Sequence, residues 1–526
     1  MEKKMNKFMK RTTIGSVMRG ICYGFAALLF ATSCANDDVA QENKQKKDNI
    51  PAGTTVFTGT SLPDATTRTA ILNHTKGAGA SVNWSSTDKI WVKDDGGTWQ
   101  QSTATIIPSV ANKSFAKFAL SGTYTGSSHD ILYTNKTVTG TQPQVEIKAA
   151  QTQSAPNNFD HAGESGDCGI ATGSKAGNVY NFTLNHKASY LCFIPRTNNE
   201  YVKRSKLFKV EIMSDDDIAG TYDIAADGTL TLASGGSKTI TVTTGSDFAI
   251  DNSADDMSKN ATYAVVAPGT HKFRIRYWLR NTTDNPAGTI DGTVSKIITL
   301  NCTAGSIQDI TANLDPHDYD GNHYYMWDAQ NQYWAGHSSS QPKINGGSSS
   351  DYAQNSSDTN HRWYHEGGGS GRFDATQSCA GLPNANEMVW YAKEGDPRYD
   401  ADELWTTMGH LYKGGMWFKK KIYIAGFNGN AAPIDGDWRT NANTKNWTIP
   451  NTLPSTSDAN KYFYLPALAY YQINGQLMNI GEYGEYWSSS ADPSSSVYAY
   501  ALTFDKDQVN VYRGNRYIGF RVGTFE

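Results

Sequence analysis

His361 and His365 sit four residues apart, a spacing that puts two imidazoles on one face of a helix and could hold zinc. The residues between them, Arg362-Trp363-Tyr364, and the Gly367-Gly368-Gly369 that follow suit a loop better, so no metal pair is expected. Asp315, Asp318 and Asp320, beside Gly321 and Asn322, have the look of a calcium loop, but no bidentate acid completes it at the twelfth position. Cys168, Cys192, Cys302 and Cys379 show no C-x-x-C spacing, which argues against a thiolate metal site. Disulfides and buried free thiols are both open to them. No Gly-x-Ser-x-Gly elbow, His-Glu-x-x-His pair or Gly-x-x-x-x-Gly-Lys phosphate loop occurs. The expectation is a protein that is not an enzyme and holds no metal or cofactor.

Cys34 offers chemistry of another kind. Lys3, Lys4, Lys7, Lys10 and Arg11 give a positive opening segment, and the apolar stretch Ile21 to Phe30 is too short to span a bilayer comfortably. Small residues Ala31-Thr32-Ser33 then precede Cys34. Residues 1–33 therefore read as a secretory signal, and its cysteine resembles a bacterial lipobox, with Ala31 where leucine usually stands. That resemblance implies acylation of Cys34 by a fatty acid such as palmitate. An ordinary signal peptide with an incidental cysteine is the alternative. Residues 34–52, with the polar run Gln41 to Asn49, have little to bury and read as a flexible tether. Asp37-Asp38, just after the lipid cysteine, resemble the surface-export signal of lipoproteins in Gram-negative anaerobes, which implies an outer-membrane lipoprotein facing outward. Net charge is −4 over 526 residues with both signs mixed, so no basic patch argues for nucleic acid.

Composition divides the chain near residue 315, because nine of the 13 tryptophans and twenty of the 29 tyrosines follow that point. Ahead of it, Thr, Ala, Ser and Gly dominate. Phe273, Ile275, Tyr277 and Leu279 alternate with Lys272, Arg274, Arg276 and Trp278, a period-2 strand with one buried face. Phe208, Val210 and Ile212 alternate with Lys209 and Glu211 in the same way. Ile224 and Leu230-Thr231-Leu232 flank Asp227-Gly228, a strong hairpin signal. Short strands with turns between them predict two β-sandwiches, 53–175 and 176–315, divided at the Gly/Ser-rich run Gly173 to Gly177.

Thr67-Arg68-Thr69, then Val82-Asn83-Trp84-Ser85 and Asp88-Lys89-Ile90, resemble the N-terminal signature of the fimbrillin family. Phe182-Thr183-Leu184-Asn185-His186 and Tyr190-Leu191-Cys192-Phe193 are similar to that family's second recurring patch. The resemblance implies two transthyretin-like sandwiches used as a subunit of type V pili. It also implies proteolytic cutting after Arg68, removal of the first strand, and donor-strand exchange with other pilus subunits. An ordinary solvated turn arginine is the alternative for Arg68. His186 is expected to be a packed strand residue.

In residues 316–526, Pro383-Asn384-Ala385-Asn386 leads into a helix that stops at Gly395, and Asp400-x-x-Glu403 has the spacing of a capping box ahead of Leu404 to Met408, closed by Gly409. Two helices are thus predicted. Tyr498, Tyr500, Leu502 and Phe504 alternate, Asp505-Lys506-Asp507 turns, Val509 and Val511 return, and Ile518, Phe520 and Val522 end the chain as a strand. These elements describe a C-type-lectin-like α+β domain. Asn384 to Lys393, Gly414-Gly415-Met416-Trp417, Phe463 to Ala467, Gly484-Glu485-Tyr486-Trp487-Ser488-Ser489-Ser490 and Gly519-Phe520-Arg521-Val522 resemble the Fibrobacter succinogenes major paralogous domain. That resemblance implies a lectin-like module on a surface lipoprotein, and some such domains are similar to the variable proteins of diversity-generating retroelements.

Asn510, Tyr512, Arg513, Asn515, Arg516 and Tyr517 are expected to face outward as a paratope, with Trp487, Ser488, Ser489 and Ser490 on the preceding loop. Trp487 alone is also expected to serve the core, and a solvated hairpin turn is the alternative for the rest. No Glu-Pro-Asn triplet occurs, so binding is expected to need no metal. The function these features predict is a cell-surface adhesin, the tip subunit of type V fimbriae, binding a host, microbial or glycan ligand through its last domain. A free-standing surface lipoprotein binding glycan or protein is the alternative.

If Cys34 carries the lipid, Cys34→Ala should abolish labelling by a fatty-acid analogue; label retained in that variant would refute the anchor.

Overall fold

The computed structural model describes residues 50–60, 70–72, 74–78, 81–109 and 113–526, so Cys34 and Arg68 both lie outside the described residues. Strands carry 44% of the described residues and helices 7%, which makes sheet packing the source of the cores.

The first body is one nine-stranded sheet curled around Phe57, Trp84, Phe118, Ile131, Tyr180 and Phe182. Its opening strand, Thr55–Thr60, lies between two neighbours: antiparallel to Phe115–Leu120 and parallel to Val179–Thr183. Phe57 is fully buried and stacks on Tyr180, ring centres 4.7 Å apart. His186 is buried too, its Nδ1 2.8 Å from Asp167, as expected of a packed strand residue.

The second body packs a large sheet over two three-stranded ones. Val210, Ile212, Ile240, Val242, Phe273, Ile275, Tyr277 and Leu279 fill its core. The Asp227-Gly228 hairpin forms as expected, with Ile224 opposite Leu230. Phe208 departs from its expected alternation. A register shift between Leu207 and Lys209 turns Leu207 into the core instead, and Phe208 lies beneath Arg280 at 4.7 Å.

The chain does not pass from first body to second once, at residue 175. Gln144–Ile147 and Ala150–Gln153 already pair with second-body strands, after which Gly169–Ala176 and Val179–Thr183 return to the first sheet. The glycine run is strand and turn. A Cβ on Gly173 would stand 2.9 Å from Ile131, and Gly177 takes the turn at φ +62. Close packing and a hairpin turn use the same residue type as a linker.

The third body holds helix Ala385–Glu394, with a complete capping box from Asn384 and Glu387. A six-stranded sheet lies beside it, in which Tyr324–Tyr325 near the start of the body pairs with Phe520–Arg521 near its end. The second expected helix is absent: Arg398–Thr407 is a strand, in a hairpin with His410–Lys419. Met408 and Gly409 form its two-residue turn with φ of +49 and +87, which suits a hairpin and not a helix end. The acids read as a cap have other partners. Asp400 accepts from Arg276 at 2.8 Å, and Glu403 accepts from the Ser295 amide at 3.0 Å.

Those contacts join the second and third bodies. Thr293 pairs with Glu403, so the second sheet continues into Arg398–Thr407 and its neighbours. Leu404 and Leu411 enter the second body's core, and Gly292 makes room, since a Cβ there would stand 2.6 Å from Leu404. Arg274 and Arg276, expected on an open face, are buried by this junction. The opposite face of their strand is also core, so both sides are covered.

Burial, followed by the charge of Asp400, pushes the Glu403 carboxyl up to about 7 from 4.5. A raised acid keeps its proton in the folded chain after the unfolded chain has lost it. Its contribution to stability is therefore full below about 4.5 and lost as the pH rises through about 7. Calorimetry from pH 4 to pH 8 should show Glu403→Gln gaining on the native chain in Tm as the pH rises, and parallel curves would refute this.

Candidate binding site

Strands Gly484–Ala491, Tyr498–Phe504 and Gln508–Asn515 give the third body's sheet two unlike faces. Tyr486, Leu502 and Val511 share the face that joins the main core with the helix. Trp487, Ala501 and Tyr512 share the other, where Trp487 packs on Phe520 at 4.3 Å between ring centres. One row along that second face come Glu485, Thr503 and Asn510.

That row opens into a shallow depression of about 450 Å³. Asn510, Tyr512, Thr503 and Glu485 line it, with Lys445 and the partly exposed ring of Tyr483 among its other walls. The Tyr512 hydroxyl lies 3.3 Å from Glu485 Oε2. Burial pushes the Glu485 carboxyl up to about 8 from 4.5, against the opposing hydrogen bonds from Thr503 and Tyr512. The floor thus sets a carboxyl that favours its protonated form beside hydroxyl and amide groups, with Lys445 and Asp505 among the surrounding residues.

The ten residues expected to form a paratope are divided by the structure. Asn510 and Tyr512 come together in the depression. Arg513 is exposed and pairs with buried Asp492 at 3.1 Å, while Asn515 and Tyr517 are half-buried, Tyr517 against the main core. Arg516 does not face outward: it is fully buried, 4.4 Å over the Trp327 ring, and donates to the carbonyls of Tyr498, His365 and Gly367. Trp487 to Ser490 form a strand and not a loop. Trp487 is fully buried and donates to the Tyr325 carbonyl at 2.8 Å, the core role also expected of it. Ser488 is buried, and Ser490 accepts from the Ala385 amide at 3.1 Å at the start of the helix. Ser489 alone of the three serines is half-buried.

Glu485, Thr503 and Tyr483 were not singled out by sequence reasoning. A signal existed in the alternation itself: Glu485, two positions before Trp487, shares its face and places an acid among aromatics.

The other chemical candidates resolve into structural roles. His365 Nδ1 is 2.8 Å from Asp328, whose carboxylate also accepts from the amides of Thr376, Gln377 and Cys379. His361 takes a loop conformation at φ +53. Asp315 accepts from the amides of Asn198 and Asn199, Asp318 from Thr406, and Asp320 from the amide of Asn322, so the three aspartates serve separate contacts. Cys168, Cys192, Cys302 and Cys379 are free and buried.

No protein-family model matches the chain, and no curated protein matches it. A solved structure from Bacteroides ovatus, described as a candidate cell adhesion protein, is 13% identical over 49% of this chain and 91% of that one, with a TM-score of 0.30. A fimbrial protein from Bacteroides ovatus is 12% identical over 89% of this chain and 99% of that one, with a TM-score of 0.23. The fimbrial anchor protein Mfa2 from Porphyromonas gingivalis is 10% identical over 49% of this chain and 90% of that one, with a TM-score of 0.22. Likenesses this weak carry no functional weight.

Losing Arg516 takes the guanidinium donor from the carbonyls of His365 and Gly367 (the Tyr498 carbonyl keeps the Asp492 amide), and an unsatisfied buried polar group costs about 1–3 kcal/mol. Arg516→Ala should lower the Tm of the chain more than Arg513→Ala does, since Arg513 is exposed and its buried partner Asp492 keeps the Ser494 amide and hydroxyl as donors. Equal Tm values for the two variants would sink this assignment.

Proposed function

We propose that this chain is a cell-surface adhesin, lipid-anchored at Cys34 as a precursor, that joins other fimbrial subunits by strand exchange and binds a ligand through its third body. The observation that carries the assembly half is the position of Thr55–Thr60. It is the first described strand, it is paired along both edges, and it ends eight residues before Arg68. A cut after Arg68 releases it. The vacated slot then has two unpaired strand edges about 20 Å long and an unfilled Phe57 site, which suits an incoming strand. The second body's sheet edge is already occupied by the third body, which favours a terminal, tip-like position over a stalk.

For the ligand, the depression beside Glu485 sets hydroxyl and amide donors and acceptors and an aromatic ring between Lys445 and Asp505 at its rim, a match for polyhydroxylated glycans. Tyr512 supplies the rigid contact. Removing such an aromatic costs about 2 kcal/mol or more, roughly a thirtyfold loss of affinity. Because Tyr512 also rests near Phe520, its ring centre 6.3 Å away, Tyr512→Ala should lower Tm modestly as well. Asn510→Ala separates the two effects: it should weaken glycan binding on an array several-fold with Tm unchanged. If Asn510→Ala and Tyr483→Ala both bind as the native chain does, the ligand site is elsewhere.

N-terminal sequencing of protein from sheared surface fibres should begin at Thr69. Mature surface protein that still begins at Cys34 would overturn strand exchange and leave a free-standing surface lipoprotein.

A further inference from the structure

Three side chains far apart in sequence converge beneath the segment that follows the opening strand. Cys192 lies on Ser189–Arg196 and Asp309 on Ile307–Asn313, two parallel strands in which these residues are direct partners. His74 comes down on them from residues 74–78. Its Nε2 is 2.8 Å from Asp309 Oδ1, and a nitrogen, a sulfur and a carboxylate oxygen lie within 4.8 Å of one another. His74 and Cys192 are buried, and the Asp309 side chain is 14% exposed.

We propose that His74, Cys192 and Asp309 form a binding site for a zinc-like divalent transition metal, with water in the fourth position. Mixed nitrogen, sulfur and oxygen ligands suit borderline metals of this kind and exclude calcium and magnesium, which take oxygen ligands. The scaffold is built for it. Adjacent strands of one sheet hold two ligands side by side, and Asp309 Oδ2 accepts from the Gly77 amide at 2.7 Å, an outer contact that fixes the carboxylate. Among the described residues His74 Nδ1 is buried with no hydrogen-bond partner, so the hydrogen bond that orients the ring is the one from Nε2 to the cluster. Tetrahedral bonds of about 2.0–2.3 Å put ligand atoms about 3.5 Å apart, so the three must close by about an ångström. His74 can supply that movement, since its neighbours Thr75, Lys76 and Gly77 are exposed. The balance is simple: the thiol gives up its proton to solvent and the sulfur takes the metal, while the imidazole proton moves from Nε2 to Nδ1. No short motif reveals the site, because 118 and 117 residues separate the ligands.

A metal there would pin residues 74–78 of the first body onto the second, six residues beyond Arg68. The chain downstream of that arginine would stay in place whatever happens upstream.

The test is cobalt titration of the full chain, reduced and stripped with a chelator. One equivalent should bind with a thiolate-to-cobalt charge-transfer band and raise Tm, and zinc should displace it. Cys192→Ser should lose the band, Cys302→Ser and Cys379→Ser should keep it, and His74→Gln should weaken cobalt affinity at least tenfold. The absence of a thiolate band in the native chain, or its survival in Cys192→Ser, overturns the proposal. Should Cys192→Ser fail to fold, His74→Gln decides: unchanged affinity there overturns it equally.

Discussion

The first body is organised around the ladder that Thr55–Thr60 makes on both flanks, parallel to Val179–Thr183 and antiparallel to Phe115–Leu120. Without that strand neither neighbour has a partner on its inner edge, and the sheet ceases to be continuous. Side-chain packing follows from the ladder. Phe57 sits between Tyr124 and Tyr180, and Gly59 lets the Phe182 and Trp84 rings close over the backbone, since a Cβ there would meet Phe182 at 2.8 Å. Burying one such phenylalanine is worth about 1.5–3 kcal/mol. The strand is therefore tightly held by partners that lie far from it in the sequence.

The second and third bodies are joined by a different physical device. Here the constraint is charge. Arg276 is buried and would be intolerable alone, but Asp400 meets it at 2.8 Å and the Thr293 hydroxyl at 3.0 Å. Glu403 completes the cluster from the same strand as Asp400. Apolar insertion of Leu404 beside these groups supplies the burial, and the charges fix the register. The junction is thus set by paired charges and apolar insertion together, not by either alone.

Much of this was legible in the sequence where the determining contacts are local. The Asn384 capping box, the Asp227-Gly228 hairpin and the strand Phe273 to Leu279 each depend on residues within a few positions. Asp400-x-x-Glu403 has the same local spacing as a helix cap, yet forms a strand, because its partners are Arg276 and Ser295, more than a hundred residues upstream. The boundary near residue 175 failed for a related reason. Gly173 and Gly177 answer to Ile131, Phe57 and a turn, none of which a composition window can see.

The candidate site shows the same division at the level of single side chains. Arg513 and Arg516 are three positions apart in a polar run, with nothing in their immediate neighbours to rank them. Arg513 stays exposed and reaches down to buried Asp492, whereas Arg516 is closed over by Trp327, nearly two hundred residues earlier in the chain. Arg516 is tolerated in the interior because three carbonyls are aimed at its guanidinium, two of them, of His365 and Gly367, on a loop whose buried carbonyls need a donor. The polar run is therefore half framework. Its Arg516 fixes the Gly367 loop and the strand start at Tyr498, and that fixed framework is what leaves Asn510 and Tyr512, at the other end of the strand, free to present a surface beside Glu485.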